Sequence, residues 1–283
     1  MELHGSFLKR IDTNGLKNNY MSKLKVPTVA EMIANNERPD ILFWVGCSGS
    51  FDDRAKKITK AIVKILNYCN IKFAVLGPEE SCTGDPAKRA GNEFAFMMQA
   101  IQNIELLKGY EIQKIVTGCP HCFNTLKNEY PELGSDFEVV HHTQLINQLI
   151  REGRLLLKGG GNFDGKKITF HDPCYLGRAN DVYEAPREVL QKLDAELTEM
   201  KRSKSNGLCC GAGGAQMFKD AEKGNKEINI ERTEDALELS PDYIATGCPF
   251  CNTMMTDGVK HFEKEESIKV LDIAELIANA AEL

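Results

Sequence analysis

The segment Tyr243-Ile-Ala-Thr-Gly-Cys-Pro-Phe-Cys251 has a close counterpart earlier in the chain, Lys114-Ile-Val-Thr-Gly-Cys-Pro-His-Cys122. Each segment begins with a short apolar run that is typical of a buried strand. Each then reaches two cysteines separated by two residues, with a proline directly after the first cysteine. The two segments therefore predict the same unit twice: a strand that ends at a pair of thiols.

The cysteines that precede these segments extend the repeat. The second copy has a single cysteine, an adjacent pair after 34 intervening residues and the last pair after 37 more: Cys174, Cys209, Cys210, Cys248 and Cys251. The first copy keeps this order with intervals of 34 and 36 residues: Cys47, Cys82, Cys119 and Cys122. Thr83 stands where the second copy has Cys210. The pattern predicts two related sites, one with five thiols and one with four.

Apolar runs alternate with helical patterns in both halves, which predicts an α/β fold. We expect two pseudo-repeated domains, each a mainly parallel sheet flanked by helices. Ligands bind beyond the carboxyl ends of parallel strands, and Cys47, Cys119, Cys174 and Cys248 are expected there. A helix is expected from Asp85, as its N-cap, through Ile104. The expected strands are Ile41–Cys47, Lys72–Gly77, Lys114–Cys119, Phe137–His141, Ile168–Cys174, Tyr243–Cys248 and Ile268–Ile273.

The chain of 283 residues divides into three segments by this pattern. Residues 1–38 contain no cysteine of the repeat and are expected to form an N-terminal extension, a candidate partner-binding arm, with a short helix over 28–36. The first cysteine-rich domain is expected over 39–158, with four cysteines. The second is expected over 159–283, with five. Gly159-Gly160-Gly161 is the expected linker.

Composition narrows the class of function. The net charge of −6 argues against a general nucleic-acid binder. No apolar run reaches the roughly 18 residues of a membrane span, and Met1–Arg10 lacks the apolar core of a secretory signal. We therefore expect a cytoplasmic location, with peripheral association at the inner face of the membrane as a variant. Disulfides rarely persist in the cytoplasm, so ten cysteines indicate metal or redox chemistry.

Three kinds of thiol chemistry are open from the residues alone. A zinc site needs four ligands, which suits the first group of cysteines better than the five-thiol group. A metal-free thiol-disulfide oxidoreductase would use Cys119-Pro-His-Cys122 and Cys248-Pro-Phe-Cys251, but it leaves the other five repeat cysteines unexplained. An iron-sulfur cluster accounts for all nine. The glycines in Gly211-Ala-Gly-Gly214 would let the backbone approach such a cluster.

The second group resembles the CCG-domain family, typified by the B and D subunits of heterodisulfide reductase. The match lies in Cys174, Cys209-Cys210-Gly211 and Cys248-Pro-Phe-Cys251. His171-Asp-Pro-Cys174 is also similar to bacterial iron-sulfur oxidoreductases of this family. The resemblance covers roughly residues 40–280, and the first group departs from it at Cys82-Thr83-Gly84.

The resemblance implies a noncubane [4Fe-4S] cluster at the second site and a [4Fe-4S] cluster or zinc at the first. It implies an oxidoreductase subunit, active within a complex, that passes electrons to a disulfide or quinone acceptor. The implied partners are a ferredoxin-domain or HdrC-like subunit, a flavoprotein and a membrane quinone-reactive protein. A zinc-stabilised assembly protein and the metal-free oxidoreductase remain the alternatives.

Other side chains are candidates for roles around the two sites. Arg178 and Arg232 would offset cluster charge or meet an anionic substrate, with surface ion pairing as the alternative. His171 and Asp172 would shape the turn before Cys174, or His171 would transfer protons. His121 and Phe250 are expected to shield the clusters, with a role of His121 as a metal ligand as the alternative. For His141 and His142 a hydrogen-bonded structural role is expected, with a contact to the first cluster as the alternative. Cys69 is expected to be an inert buried thiol.

Overall fold

The structure is a computed structural model that describes residues 24–158, 163–220 and 223–283. Two four-stranded sheets, all of whose neighbouring strands are parallel, have the strand orders β2-β1-β3-β4 and β6-β5-β7-β8. The first sheet contains β1 Ile41–Trp44, β2 Phe73–Ala74, β3 Lys114–Thr117 and β4 Glu138–His141. The second contains β5 Lys167–Phe170, β6 Glu196–Thr198, β7 Tyr243–Thr246 and β8 Lys269–Asp272. The equal strand orders confirm the expected α/β pseudo-repeat.

Helices connect these strands and cover the sheets. In the first half they are α1 Val29–Ala34, α2 Gly46–Phe51, α3 Ala55–Tyr68, α4 Asp85–Arg89, α5 Glu93–Gly109, α6 Pro120–Asn124 and α7 His142–Arg151. In the second half they are α8 Glu184–Leu190, α9 Ile228–Leu237, α10 Pro249–His261 and α11 Ile273–Ala280. The helices that follow β4 and β8 both begin with a capping box, at His141 and at Asp272.

The two halves pack against each other through one continuous apolar core. Helix α3 of the first half contacts α11 of the second. The equivalent helices of the repeat, α8 and α7, also contact each other. The same apolar cluster holds Phe43 and Ile58 from the first half with Phe170 and Leu276 from the second. Polar links cross this junction too, because His142 Nε2 lies 2.9 Å from Asp272 Oδ1. The repeat units therefore form a single packed body.

Residues 24–36 pack against the first sheet. Thr28 pairs with Val75 in an isolated parallel bridge, and Val29 is buried. The short helix expected over 28–36 is present as α1 and is capped by Thr28 and Glu31. The expected bounds of the three segments stay a prediction, and the Gly159–Gly161 linker lies outside the described residues.

Several expectations about local structure were wrong in detail. The first strand ends at Trp44, and Cys47 lies in the first turn of α2. The single helix expected from Asp85 is two helices, because Asn92 caps a new one and Gly84, not Asp85, is the cap residue of α4. The strand β6 was not expected.

Four apolar residues of α5 also differ from the usual pattern of a covered helix face. Phe94, Met97, Met98 and Ile101 are exposed, and the helix buries the opposite face that carries Phe96 and Ile104. Elsewhere, none of the helices in the described ranges has the length and apolar character needed to cross a membrane.

Candidate metal centre

The five cysteines of the second group come together beside the end of β7. Cys210 Sγ and Cys251 Sγ are 3.3 Å apart. Cys174 lies close enough to Cys209, and Cys248 close enough to Cys251, for the thiols to shift each other's pKa. The distance in sequence is large, but the carboxyl ends of parallel neighbours share one edge of the sheet. The sequence-predicted group of five is thus one spatial cluster.

The four cysteines of the first group line one common cavity with Thr83, Asp85 and His121. Thr83 Oγ1 lies 3.9 Å from Cys122 Sγ, which is the contact that Cys210 makes with Cys251 in the other half. The threonine hydroxyl therefore occupies the place of the fifth thiol. The pseudo-repeat holds at the level of single side chains.

The two groups of thiols approach each other at the junction of the halves. Cys119 of the first group and Cys248 of the second lie close enough for each thiol to shift the pKa of the other. These are the first cysteines of the two CxxC segments, so the contact joins repeat-equivalent residues. Both side chains are buried, with 5% and 1% of their surface exposed. Anything held by one group is therefore adjacent to anything held by the other.

A glycine turn shapes the middle of each group. Gly84 and Gly211 have φ angles of +88° and +90°, a region that L side chains rarely adopt. In this turn the Gly84 N–H donates to Cys82 Sγ at 3.4 Å, and the Gly211 N–H donates to Cys209 Sγ at 3.3 Å. The glycine after the cysteine thus supplies an N–H group to a sulfur in both halves.

The close approach of the thiols shifts their pKa values in opposite directions. A hydrogen bond from Cys47 lowers the pKa of Cys82 to about 7, and bonds from Cys174 and Cys210 lower the pKa of Cys209. The same hydrogen bond to Cys209 raises the pKa of Cys210 to about 12. Within each close pair, the contact therefore favours ionisation of one thiol over that of the other.

This donor set fits an iron-sulfur cluster. All ten cysteines are free thiols, and bringing several thiolates together in a buried site requires a positive centre. Iron supplies that charge, and thiolates with N–H groups on their sulfurs are the usual protein contribution to such clusters. Five thiols exceed the four ligands of a structural zinc.

Buried carboxylates hold the loops that carry the cysteines. Asp172 accepts two hydrogen bonds from Arg187, at 2.8 and 2.9 Å, and one from the Lys204 N–H. In the first half Glu80 accepts from the N–H groups of Val45 and Gly46, at 3.1 and 2.6 Å. Burial raises the pKa of Glu80 to about 7. The turn-shaping role expected for Asp172 agrees with these contacts.

The two candidate arginines occupy different environments. Arg178 is exposed and donates to the carbonyl groups of Ser205 and Gly207, which lie four and two residues before Cys209. Arg232 is fully buried, so the surface ion pair considered for it is wrong. Its Nε donates to His171 Nδ1 at 2.9 Å. Burial lowers the pKa of His171 to about 3, so its imidazole is neutral.

His121 lies where the halves meet. Its Nδ1 donates to Asp85 Oδ2 at 3.0 Å, and its ring lies 4.5 Å from the Tyr175 ring and 5.2 Å from the Phe250 ring. Burial would lower the pKa of His121, but the Asp85 hydrogen bond and the Cys119 charge outweigh it and raise that pKa. His121 and Phe250 line the same cavity as the first-group cysteines, and their role in shielding a cluster stays a prediction.

The remaining candidate residues form hydrogen bonds with side chains or carbonyl groups outside the two groups of cysteines. His141 Nδ1 is 2.8 Å from Thr143 Oγ1, and His142 contacts Asp272 across the junction. Burial lowers the pKa of His141. Cys69 Sγ donates to the Arg154 carbonyl oxygen at 3.6 Å, and burial raises the pKa of this thiol. These contacts support structural roles.

Sequence reasoning missed three residues around the sites. Glu80 and Asp85 flank Cys82, and their placement two or three residues from a cysteine was the available signal. Trp44 is fully buried at the end of β1. A shift of 127 residues aligns it with His171, so the repeat itself could have identified it.

The fold and the site define a class of α/β proteins in which two parallel-sheet repeats bring cysteines to their junction. The family model described as "CCG: Cysteine-rich domain" matches residues 41–127 and 168–256. This chain belongs to the CCG cysteine-rich domain family. The match in both halves confirms the resemblance, including the half in which threonine replaces one cysteine.

Similar proteins carry names from iron-sulfur and quinone biochemistry. The chain is 44% identical over 257 residues to "Probable iron-sulfur-binding oxidoreductase FadF" of Bacillus subtilis, which covers 90% of this chain and 36% of that protein. It is 43% identical over 249 residues to "EtfAB:quinone oxidoreductase" of Syntrophomonas wolfei, covering 86% of this chain and 34% of that protein.

A third relative is the D subunit of the dihydromethanophenazine:CoB--CoM heterodisulfide reductase of Methanosarcina barkeri. It is 35% identical over 255 residues, which cover 86% of this chain and 59% of that protein. The chain thus spans between about a third and three fifths of the length of these relatives.

Proposed function

We propose that this chain is an iron-sulfur electron-transfer unit of an oxidoreductase. Its nine repeat cysteines would hold two centres: a noncubane-type [4Fe-4S] cluster on the five-thiol group, and a [4Fe-4S] cluster or zinc on the four-thiol group. Such clusters carry electrons one at a time. The proximity of Cys119 and Cys248 carries the proposal, because centres held by the two groups would lie side by side.

An open cavity supports a place for the electron acceptor. It has a volume of about 990 Å³ and lies between α2 of the first half and the Gly211 turn of the second. Cys47, which is partly exposed, lines it and is the thiol through which the first site would face an acceptor. Aromatic and lysine side chains share the lining, among them Phe218, Phe250, Lys219 and Lys226.

Four carboxylates also line the cavity, Asp52, Asp220, Glu227 and Asp257, so its lining of apolar side chains and charges of both signs favours an apolar acceptor that carries a polar group. A quinone and a small disulfide both meet that description. The names of the relatives include a quinone oxidoreductase and a heterodisulfide reductase. For this chain we propose a disulfide or a quinone as the acceptor. A ferredoxin-domain or HdrC-like subunit, a flavoprotein or a membrane quinone-reactive protein would be the partner.

The metal-free thiol-disulfide reaction is less well supported. Such a reaction needs an accessible attacking thiolate, whereas Cys119 and Cys248 are both buried at the junction. A zinc-stabilised assembly protein would use four thiols and would leave the fifth thiol of the second group without a role.

Metal analysis of anaerobically isolated protein tests the proposal. We expect iron and acid-labile sulfide in equal amounts, and zinc at no more than one atom per chain. Reduced protein should then lose its EPR signal when a soluble quinone analogue or a small disulfide is added. The compound that removes the signal faster identifies the acceptor class. Colourless protein that contains zinc without iron would contradict the proposal.

A further inference from the structure

A buried imidazole lies beside the second group of thiols. One ring nitrogen of His171 and the sulfurs of Cys210 and Cys251 lie within 4.8 Å of one another. The His171 side chain has 0% of its surface exposed. An imidazole in this position could coordinate a metal held by the thiols or donate a hydrogen bond to a sulfur of a cluster. The hydrogen-bond partners of its two nitrogens distinguish these two roles.

Arg232 fixes the hydrogen of this imidazole. A guanidinium group has donors and no acceptor, so His171 Nδ1 accepts the 2.9 Å hydrogen bond from Arg232 Nε with its lone pair. Nδ1 therefore carries no hydrogen, and the neutral ring carries it on Nε2. Arg232 is itself held, because its Nη1 donates to the Arg202 carbonyl oxygen at 2.6 Å and lies 3.2 Å from Asp235 Oδ2.

The Nε2–H group of His171 has no acceptor within the described part of the chain. Buried N–H groups without a partner are rare in native proteins. Coordination of iron through Nε2 would need a lone pair at the position where the hydrogen lies. A site that held thiolates and inorganic sulfide would instead supply sulfur acceptors for the Nε2–H group.

We propose that His171 donates a hydrogen bond from Nε2 to a sulfur of the cluster held by the second group, and that Arg232 is the positioning residue that fixes this tautomer. The inference rests on the proposed function, since it requires a cluster. Hydrogen bonds to cluster sulfurs stabilise the reduced form, which carries more negative charge. His171 therefore raises the reduction potential of the second site.

The first half carries a donor at the equivalent place. Trp44 lies three residues before Cys47, as His171 lies three residues before Cys174. Its side chain is fully buried, and its Nε1–H also lacks a partner among the residues that the structure describes. An indole nitrogen only donates. Trp44 packs in the same apolar cluster as Cys119 and Cys122, so the repeat keeps an N–H donor although the residue differs.

Two variants of His171 test this proposal by spectroscopy. In wild-type protein we expect an exchangeable proton coupled to the second-site cluster, which is lost on transfer to D₂O. His171→Phe should lose that coupling and shift the second-site potential to a more negative value. His171→Gln, whose amide N–H can reach a similar position, should retain a coupling and recover part of the potential. The first-site signal serves as the internal control.

Isotope labelling tests the choice between donor and ligand. Protein with ¹⁵N-labelled histidine should show only a weak nitrogen coupling at the second site. A strong coupling, typical of direct coordination, would overturn the proposal. So would a potential and a proton coupling that stay unchanged in iron-loaded His171→Phe. If this variant does not load iron, the wild-type nitrogen coupling still decides.

The Arg232 role and the first-half donor have separate tests. Arg232→Met removes the hydrogen-bond donor to His171 Nδ1, so the ¹⁵N-histidine coupling in this variant should differ from that of the wild type. An unchanged coupling would show that Arg232 does not position His171. Trp44→Phe should shift the first-site potential and leave the second-site potential unchanged, provided that the first site is redox-active. Absence of iron from wild-type protein would instead overturn the proposed function, and this inference with it.

Discussion

At the scale of single residues, position 83 separates the two halves. Thr83 Oγ1 and Cys210 Sγ make the same contact with the last cysteine of their group. The exchange of one thiol for a hydroxyl removes a strong ligand for iron but keeps the shape of the turn. In the proposed function, this replacement is the reason for expecting different centres at the two sites.

The variant Thr83→Cys should bring the first site closer to the second. Its new thiol would lie beside Cys122, so we expect a changed first-site EPR signal and protection of the thiol from alkylation. Cys210→Ser is the matched reverse change and should alter the second-site signal alone. A freely alkylated Cys at position 83 with an unchanged spectrum would refute the equivalence of the two positions.

The glycine of each Cys-Cys-Gly or Cys-Thr-Gly turn allows a second prediction. Gly211→Ala places a side chain at a φ of +90° and should cost about 1–2 kcal/mol of stability. It should also lower the iron content, because the turn aims an N–H group at Cys209. Gly91→Ala is the control.

Gly91 has a φ of +83° and nothing within 4 Å of an added Cβ. Its replacement should cost a similar amount in urea unfolding under anaerobic conditions. It lies outside both sites and should leave the iron content unchanged. Equal iron loss in both variants would show that strain alone, without the sulfur contact, explains the result.

At the scale of elements, the close packing of α9 and α10 positions the second site. A Cβ added at Gly258 would lie 2.0 Å from Thr233 Oγ1. Helix α9 carries Arg232, and α10 carries Cys251. Gly258→Ala should therefore separate the helices, reduce the free energy of unfolding by about 1–3 kcal/mol and weaken cluster binding.

A second helix glycine provides the comparison for this variant. Gly109 ends α5, and nothing lies within 4 Å of a Cβ placed there. Gly109→Ala should leave stability unchanged or raise it slightly, because alanine favours helix. Equal stability of the two variants in urea would contradict the packing described between α9 and α10.

Sequence patterns predicted the strands well because an apolar run is a local signal. β3 and β7 lie inside the predicted Lys114–Cys119 and Tyr243–Cys248 runs. The apolar pattern was ambiguous for α5, because periodicity identifies an apolar face of a helix but does not show whether the rest of the protein packs against that face. The break between α4 and α5 depends on the Asn92 side chain, which caps the start of α5 and so favours a new helix over one continuous helix.

Pairings between distant residues were not predictable in the same way. Cysteine spacing predicted which thiols belong to each group, and the structure brings those thiols together. Nothing in a repeat specifies how its two copies pack. The contacts of Cys119 with Cys248 and of Arg232 with His171 therefore emerged only from the structure.

At the scale of the whole molecule, ion pairs link the halves. Arg54 donates to both carboxylate oxygens of Glu275, at 2.9 and 2.6 Å, and to the Val270 carbonyl oxygen. Both side chains of the ion pair are mostly buried. Arg54→Met should lower the free energy of unfolding by about 2 kcal/mol, because it removes charged hydrogen bonds.

The control for this variant is an exposed ion pair that also crosses the junction. Lys158 pairs with Glu282 near the surface. Lys158→Met should change stability by no more than about 0.5 kcal/mol in the same urea titration. A larger effect for Lys158→Met than for Arg54→Met would contradict the importance assigned to the buried junction.

The EPR spectrum of the fully reduced, anaerobically isolated protein tests the central claim most directly. Because Cys119 contacts Cys248, two reduced centres would lie close enough to interact magnetically. With iron in both sites, we predict signals that broaden each other, and a second-site signal that sharpens when Cys122→Ser removes the first centre. Two independent signals whose shapes are unchanged by that substitution, or no iron signal at all, would contradict the account.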